Sequence, residues 1–230
     1  MDKYSLFARI YPMVIFFLPI VVIGVSYSVV NDSYIQSLSS IGITSVLTYF
    51  LSQVGRDRGK KKETKLWEKW GGMPSVQILR PSNERIDPHT KARYIAKLKN
   101  VCPAEPTSDQ MEYEDSQFHT WTKFLISKTR DTKKFTLLFK ENINYGFRRN
   151  LWALKPLAIW FIIFCIFSNY VYQSIKEGII AFSSFPISFY ITQLALLTIL
   201  FLWSIIITPD WVKIPAFAYA ERLLETIEEI

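Results

Sequence analysis

The fold is decided in residues 33–70, which read SYIQSLSSIGITSVLTYFLSQVG and then RDRGKKKETKLWEKW. The first 23 residues contain no Asp, Glu, Lys or Arg, whereas the next 15 carry seven Lys and Arg against three acids. A helix needs roughly 20 mostly apolar residues to cross a bilayer. Lysines and arginines crowded at one end of such a run mark its cytoplasmic edge. The stretch therefore reads as a membrane span that continues directly into a basic, water-exposed segment.

Three further runs lack charge: residues 10–31 (22 residues), 156–175 (20) and 178–209 (32). Half of the 230 residues are hydrophobic and only 20% are charged. That excludes an ordinary soluble globule, and it excludes disorder, which needs low hydrophobicity. The first run is too long for the apolar core of a signal peptide and contains Pro12 and Pro19, so it reads as a retained helix. The expected fold class is an all-α membrane protein. Four transmembrane helices form two hairpins flanking a small, mostly helical cytoplasmic domain. The expected divisions are a first hairpin (1–54), a basic cytoplasmic domain (55–150), a second hairpin (151–208) and a cytoplasmic amphipathic helix (209–230).

Charge sets the orientation. Residues 55–155 hold 22 of the 27 Lys and Arg and 12 of the 20 acids, a net of +10. The connection between the first two spans carries Asp32, and that between the last two carries Lys176 and Glu177. Lys3 and Arg9 add positive charge before the first span. The positive-inside rule then predicts a multi-pass protein of the cell inner membrane with both termini cytoplasmic. Cys102 and Cys165 are not expected to pair in that compartment.

Within the insert, Gly71-Gly72-Met73-Pro74 predicts a turn, and residues 75–80 suit a short strand. Asp87-Pro88 predicts a helix start that runs to about Asn100. Thr107 or Ser108 caps a helix to about Lys128, with Met111, Phe118, Trp121 and Leu125 near helical spacing. Asp131 caps another. After the last span, Pro209 is expected to stop the helix. Residues 214–230 then form an amphipathic helix with Phe217, Ala220, Leu224 and Ile227 on one face and Glu221, Glu225 and Glu228 on another. Its acidity suits docking on the basic insert, of this chain or of a neighbouring copy, better than lying on anionic lipid.

Catalysis finds no support. The two histidines, His89 and His119, stand in no metal or nucleophile motif, and there is no paired Cys/His spacing. Residues 55–61 fit a P-loop poorly, with three residues between the glycines and no Ser or Thr after the lysine. Residues 111–115 (MEYED) read as a solvated acidic face. No enzyme activity, no cofactor and no metal site is expected. An ion-coupled carrier is disfavoured because all four runs lack ionisable residues.

Two features point to function. Ser33, Ser37, Ser40, Thr44, Thr48 and Ser52 recur every three or four residues, within an arc of roughly 120° at 100° per residue. Ile35, Leu38, Val46 and Phe50 occupy the other side. Such a stripe can line a hydrated path, and it can equally serve close helix packing. Ser37, Ser40, Thr44, Thr48 and Ser52 are the candidate pore-lining residues. Four spans do not easily enclose a pore alone, so this reading requires a homo-oligomer such as a tetramer. The second feature is the basic–aromatic segment Arg56, Arg58, Lys60, Lys61, Lys62, Lys65, Trp67 and Trp70, joined by Arg148 and Arg149 before the third span. Juxtamembrane cations fix topology and attract membrane lipid. Cations beside aromatic rings also bind nucleotides or short oligonucleotides, through phosphate pairing and base stacking.

Two blocks carry a resemblance: RDRGKKKETKLWEKWGG (56–72) and NYGFRRNLWALKP (144–156). They resemble stretches of bacterial four-span membrane proteins. The arrangement of two hairpins around a basic cytoplasmic domain is similar to membrane effectors of anti-phage defence, most of all the Hailong-type ion-channel effector. The resemblance implies a homo-oligomeric channel gated by a nucleotide ligand on the insert, with a nucleotidyltransferase partner that makes the ligand. The alternative expectation is a non-conducting anchor that recruits a soluble partner to the membrane.

Overall fold

The computed structural model describes residues 2–30, 34–103, 110–178 and 185–230. Every regular element among them is helical. A π-helical turn, Ser5–Ile10, leads into α1 (Tyr11–Val30). It is followed by α2 (Ile35–Trp70), α3 (Pro74–Leu79), α4 (Pro88–Val101), α5 (Gln110–Lys128), α6 (Thr136–Glu177), α7 (Ile187–Ile205) and α8 (Pro209–Glu225), the last continued by a 3₁₀ turn, Thr226–Glu228. Three helical stretches are long and apolar enough to cross a membrane: Ser5–Val29, Thr136–Glu177 and Ile187–Ile205. These fit a membrane-embedded protein. The charge-free run of residues 33–55 is not among them. Its described part lies in α2, where Ser, Thr and Gln side chains lower the hydropathy.

The chain divides into two compact units. Unit 1 comprises residues 1–61 and 146–211, and unit 2 comprises residues 62–145 and 212–230. These boundaries cut α2, α6 and α8 within their lengths.

Unit 1 is centred on Met13 and Phe17 of α1, Leu151, Leu154, Ala158 and Ile162 of α6, and Trp203 of α7 with Ile207 just beyond it. Phe16 stacks on Phe161 at 5.2 Å. Leu47 and Leu51 of α2 pack against this core. Glycines set the closest approaches. A Cβ on Gly24 would overlap the Ser40 side chain, and one on Gly59 would overlap the Asn150 amide. Two polar side chains satisfy backbone carbonyls that the helices leave open. Asn150 Nδ2 donates to Ala8 O in the π turn at 2.6 Å. Lys155 Nζ donates to Ser204 O (2.7 Å) and Ile207 O (2.9 Å), which caps the end of α7.

Unit 2 has its own core: Val76, Ile78 and Leu79 of α3, Tyr94 and Leu98 of α4, Phe118, Trp121 and Leu125 of α5, and Phe217, Ala220, Leu223, Leu224 and Ile227 of the C-terminal segment. Several local predictions hold. Asp87 caps α4, its carboxylate accepting from Thr90 N at 2.9 Å, with Pro88 at the first helical position. Asp131 accepts from the amides of Lys133 and Lys134. Gly71 and Gly72 have φ of 87° and 130°. Gly72 N bonds Trp67 O and Gly71 N bonds Glu68 O, the double bond of a Schellman end to α2. The predicted cap at Thr107 or Ser108 lies outside the described residues.

Two expectations are corrected. Residues 75–80 are not a strand but lie in helix α3 and its C-cap, with Pro74 at the first helical position and Val76, Ile78 and Leu79 all buried. A six-residue apolar run fits either state, and proline after a glycine turn favours the helix. Pro209 does not simply stop a helix. It starts α8, five residues before the predicted Ile214.

The tail docks on the insert of its own chain, as its acidity suggested. Glu221 pairs with Arg85, and Glu228 pairs with Arg93 (2.8 Å) and Lys97 (2.5 Å). Hydrogen bonds from Lys97 and Arg93 hold the Glu228 carboxyl below its usual value of 4.5. A group whose folded pKa is lowered stabilises the fold above its unfolded pKa and loses that contribution as pH falls through the folded value. The tail is therefore expected to loosen as pH falls below about 4.5. Hydrogen exchange of amides 217–227, corrected for its intrinsic pH dependence, should show protection falling there. Unchanged protection would mean that the ion pairs do not hold the tail.

Candidate functional site

The hydroxyl stripe forms one side of α2. Ser40, Thr44, Thr48 and Ser52 are 4–6% exposed, and Ser37 is half-buried. Ile35, Leu38, Val46 and Phe50, on the other side, are 57–71% exposed. The stripe thus turns toward the interior of unit 1, and the large apolar side chains turn out. Ser33 lies outside the described residues. Ser40 Oγ donates to Ser37 O (2.8 Å) and Ser52 Oγ to Tyr49 O (3.0 Å). The Thr44 and Thr48 hydroxyls are buried with no hydrogen-bond partner among the described residues. A buried hydroxyl without a partner costs free energy, so these two mark the least settled part of the stripe.

The stripe ends beside a polar group that the sequence reading missed. Tyr27, Gln36, Ser39, Ser40, Ser168 and Asn169 line a cleft of about 520 Å³ between α1, α2 and α6. Tyr27 donates its hydroxyl proton to Asn169 Oδ1 at 2.8 Å. Asn169 Nδ2 and Gln36 Oε1 are buried without partners among the described residues. The signal was present, since an amide inside a long apolar run is costly and deserves a reason. Gln193 and Gln173 are likewise amides within apolar helices. Gln193 Nε2 donates to Ile166 O (3.1 Å), and Gln173 Nε2 to Glu177 (3.0 Å).

The basic residues are not all alike. In unit 1, Arg58, Lys60 and Lys61 are exposed, while Arg56 is half-buried and lies 3.8 Å from Asp57. In unit 2, Lys65 is exposed and Lys62 half-buried. Trp67 is half-buried, and Trp70, 8% exposed, meets Phe217 edge-on at 6.5 Å. Trp70 is thus committed to core packing, which leaves little ring for a base to stack on. The two arginines before the third predicted span are also engaged. Arg148 donates to Trp211 O (3.0 Å) and lies over the Trp211 ring at 4.8 Å. Arg149 is 5% exposed beside Asn150. Of the cations predicted as ligand-binding, those that are exposed are Arg58, Lys60, Lys61 and Lys65, all on α2. His89 and His119 do not come together with other ligands. Among the described residues no three His, Cys, Asp or Glu side chains are placed to hold a metal ion.

Among the described residues, fold and site together define an all-helical protein with three helices long and apolar enough to cross a membrane and a second helical unit. Compared with protein-family models, with curated proteins and with solved structures, the chain matches none.

Proposed function

We propose that the protein is an oligomeric inner-membrane channel of bacterial anti-phage defence. A nucleotide or short oligonucleotide bound to the basic part of α2 would gate it. The observation that carries this reading is α2 itself. One unbroken 36-residue helix joins the buried hydroxyl stripe to the row of exposed cations. In this reading α2 is a fourth span whose hydroxyls pack inside one subunit when the path is closed and turn on opening toward a path that neighbouring subunits complete. Both termini face the cytoplasm, and a small ring such as a tetramer completes the assembly. The 4–6% exposure of the hydroxyls is what a closed state of such a path would give. Ligand on Arg58, Lys60, Lys61 and Lys65 shifts the helix only if open and closed states bind it with different affinity. A nucleotidyltransferase partner would supply the ligand, and opening would depolarise the cell.

The burial of the stripe also favours a second reading, in which the hydroxyls only pack helices and the chain anchors a soluble partner at the membrane. The double substitution Thr44→Leu, Thr48→Leu separates the two. Under the channel reading it cuts ligand-dependent ion flux in proteoliposomes by at least roughly tenfold, because two leucines dry the path. Unchanged flux would remove the stripe from the conduction path, and recruitment of a soluble partner without any flux would favour the anchor.

A further inference from the structure

Between the π-helical turn Ser5–Ile10 and α2, within unit 1, lies a cleft of about 340 Å³. Ser5 and Arg9 line one side, and Tyr49, Phe50, Ser52 and Gln53 line the other. Arg9 is the only charged residue in it. Its guanidinium faces the Tyr4 ring at 5.5 Å. Its Nε is buried and has no hydrogen-bond partner among the described residues, and Arg9 forms no ion pair among them. Asp2 accepts from Ser5 N at 2.6 Å and Ser5 Oγ at 3.3 Å, and its carboxylate also feels the Arg9 charge without bonding to it.

A guanidinium N–H removed from water without an acceptor is unfavourable. An anion with oxygens at the spacing of its planar fork resolves that, and phosphate fits best. The neighbouring surface narrows the choice further. Tyr49 and Phe50 are 72% and 71% exposed, with rings edge-to-face at 5.8 Å. A cation in a cleft beside exposed aromatic rings suits an amphiphile whose head is anionic and whose tail is apolar.

We propose that the Arg9 cleft binds an anionic phospholipid. The headgroup phosphate sits on the Arg9 guanidinium within reach of Gln53, and the acyl chains run along Tyr49 and Phe50. This inference rests on the reading that α2 is embedded in the membrane beside α1. The lipid then belongs to the cytoplasmic leaflet and fills the gap between the N-terminal turn and the helix carrying the hydroxyl stripe. A change in α2 would have to displace it or carry it along.

The test uses the full chain purified in neutral detergent. Equimolar phosphatidylglycerol and phosphatidylcholine are added, and native mass spectrometry counts what is retained. Wild type should keep phosphatidylglycerol over phosphatidylcholine by roughly tenfold, the size of one charged hydrogen bond. Arg9→Gln should bring the ratio near parity, Arg9→Lys should keep part of it, and Lys123→Gln, at an exposed cation of α5 in unit 2, should leave it unchanged. Equal retention of the two lipids by wild type would overturn the proposal without any variant having to fold. So would an undiminished preference in Arg9→Gln. Displacement of the lipid by inorganic phosphate would overturn the lipid assignment in favour of a free anion. A separate probe tests the premise: Tyr49→Cys, in a Cys102→Ser, Cys165→Ser background, is exposed in vesicles to a membrane-impermeant maleimide. Labelling would overturn the embedding of α2. Protection from labelling without lipid preference would overturn the cleft alone.

Discussion

Replacing Trp121 with alanine is expected to cost unit 2 about 3–5 kcal/mol, the usual range for deleting a large buried aromatic side chain. Trp121 is fully buried at the centre of the core that α3, α4, α5 and the tail share. Its ring lies 5.7 Å from that of Phe118, and its Nε1 donates to Cys102 O at 2.8 Å, which closes the end of α4. The substitution loses apolar burial, leaves a cavity and frees a carbonyl. A whole domain is commonly stable by only about 5–15 kcal/mol, so the variant leaves little reserve. Hydrogen exchange on the full chain in detergent reads this directly. Amides of α4 and α5 should exchange at least about a hundredfold faster, while α1 and α7 keep their protection. Trp121→Phe should lose less, since it restores most of the volume and forfeits the hydrogen bond. Unaltered exchange in Trp121→Ala would mean that this core does not hold unit 2 together.

The second large effect has an informative sign. Gly24→Ala is expected to destabilise unit 1 by about 2 kcal/mol, because the added methyl would overlap Ser40 and force α1 and α2 apart. A free helix shows the opposite, since alanine in place of glycine gains up to about 1 kcal/mol there. Gly42 serves as the internal comparison: nothing lies within 4 Å of its Cβ direction, so Gly42→Ala should stabilise. Ser40→Gly combined with Gly24→Ala should recover most of the loss, which makes the pair non-additive as residues in contact are. Unfolding of the purified protein in mixed micelles measures these three variants and Ser40→Gly alone, which closes the cycle. A stabilising Gly24→Ala would show that α2 does not pack on α1 as described.

How much of this was legible beforehand varies with the kind of signal. Local chemistry read well. Asp87-Pro88 fixes a helix start through its own side chain and ring, and Gly71-Gly72 fixes a helix end through positive φ. Neither depends on the rest of the chain. Residues 75–80 were misread as a strand because a short apolar run carries no period long enough to decide. The hydroxyl stripe was legible as a pattern, but the direction it faces is a tertiary property. The sequence left pore lining and helix packing both open, and burial at 4–6% now places the hydroxyls inward. The basic segment shows the same limit. Counting cations does not reveal that Trp70 packs on Phe217, or that Arg148 is held by Trp211. The polar cleft around Tyr27 and Asn169 and the cleft beside Arg9 depend on contacts between distant parts of the chain. Their individual residues were visible, yet their convergence was not.

The central claim, a ligand-gated conducting path along α2, is tested most directly by ion flux. The full protein is reconstituted in liposomes, shown to be folded and inserted, and assayed with and without candidate oligonucleotides. The account predicts flux that changes on adding ligand. It also predicts that Arg58→Gln, Lys60→Gln, Lys61→Gln and Lys65→Gln together abolish that response without unfolding the protein. Absence of flux under every condition, from protein that is demonstrably inserted, would contradict it.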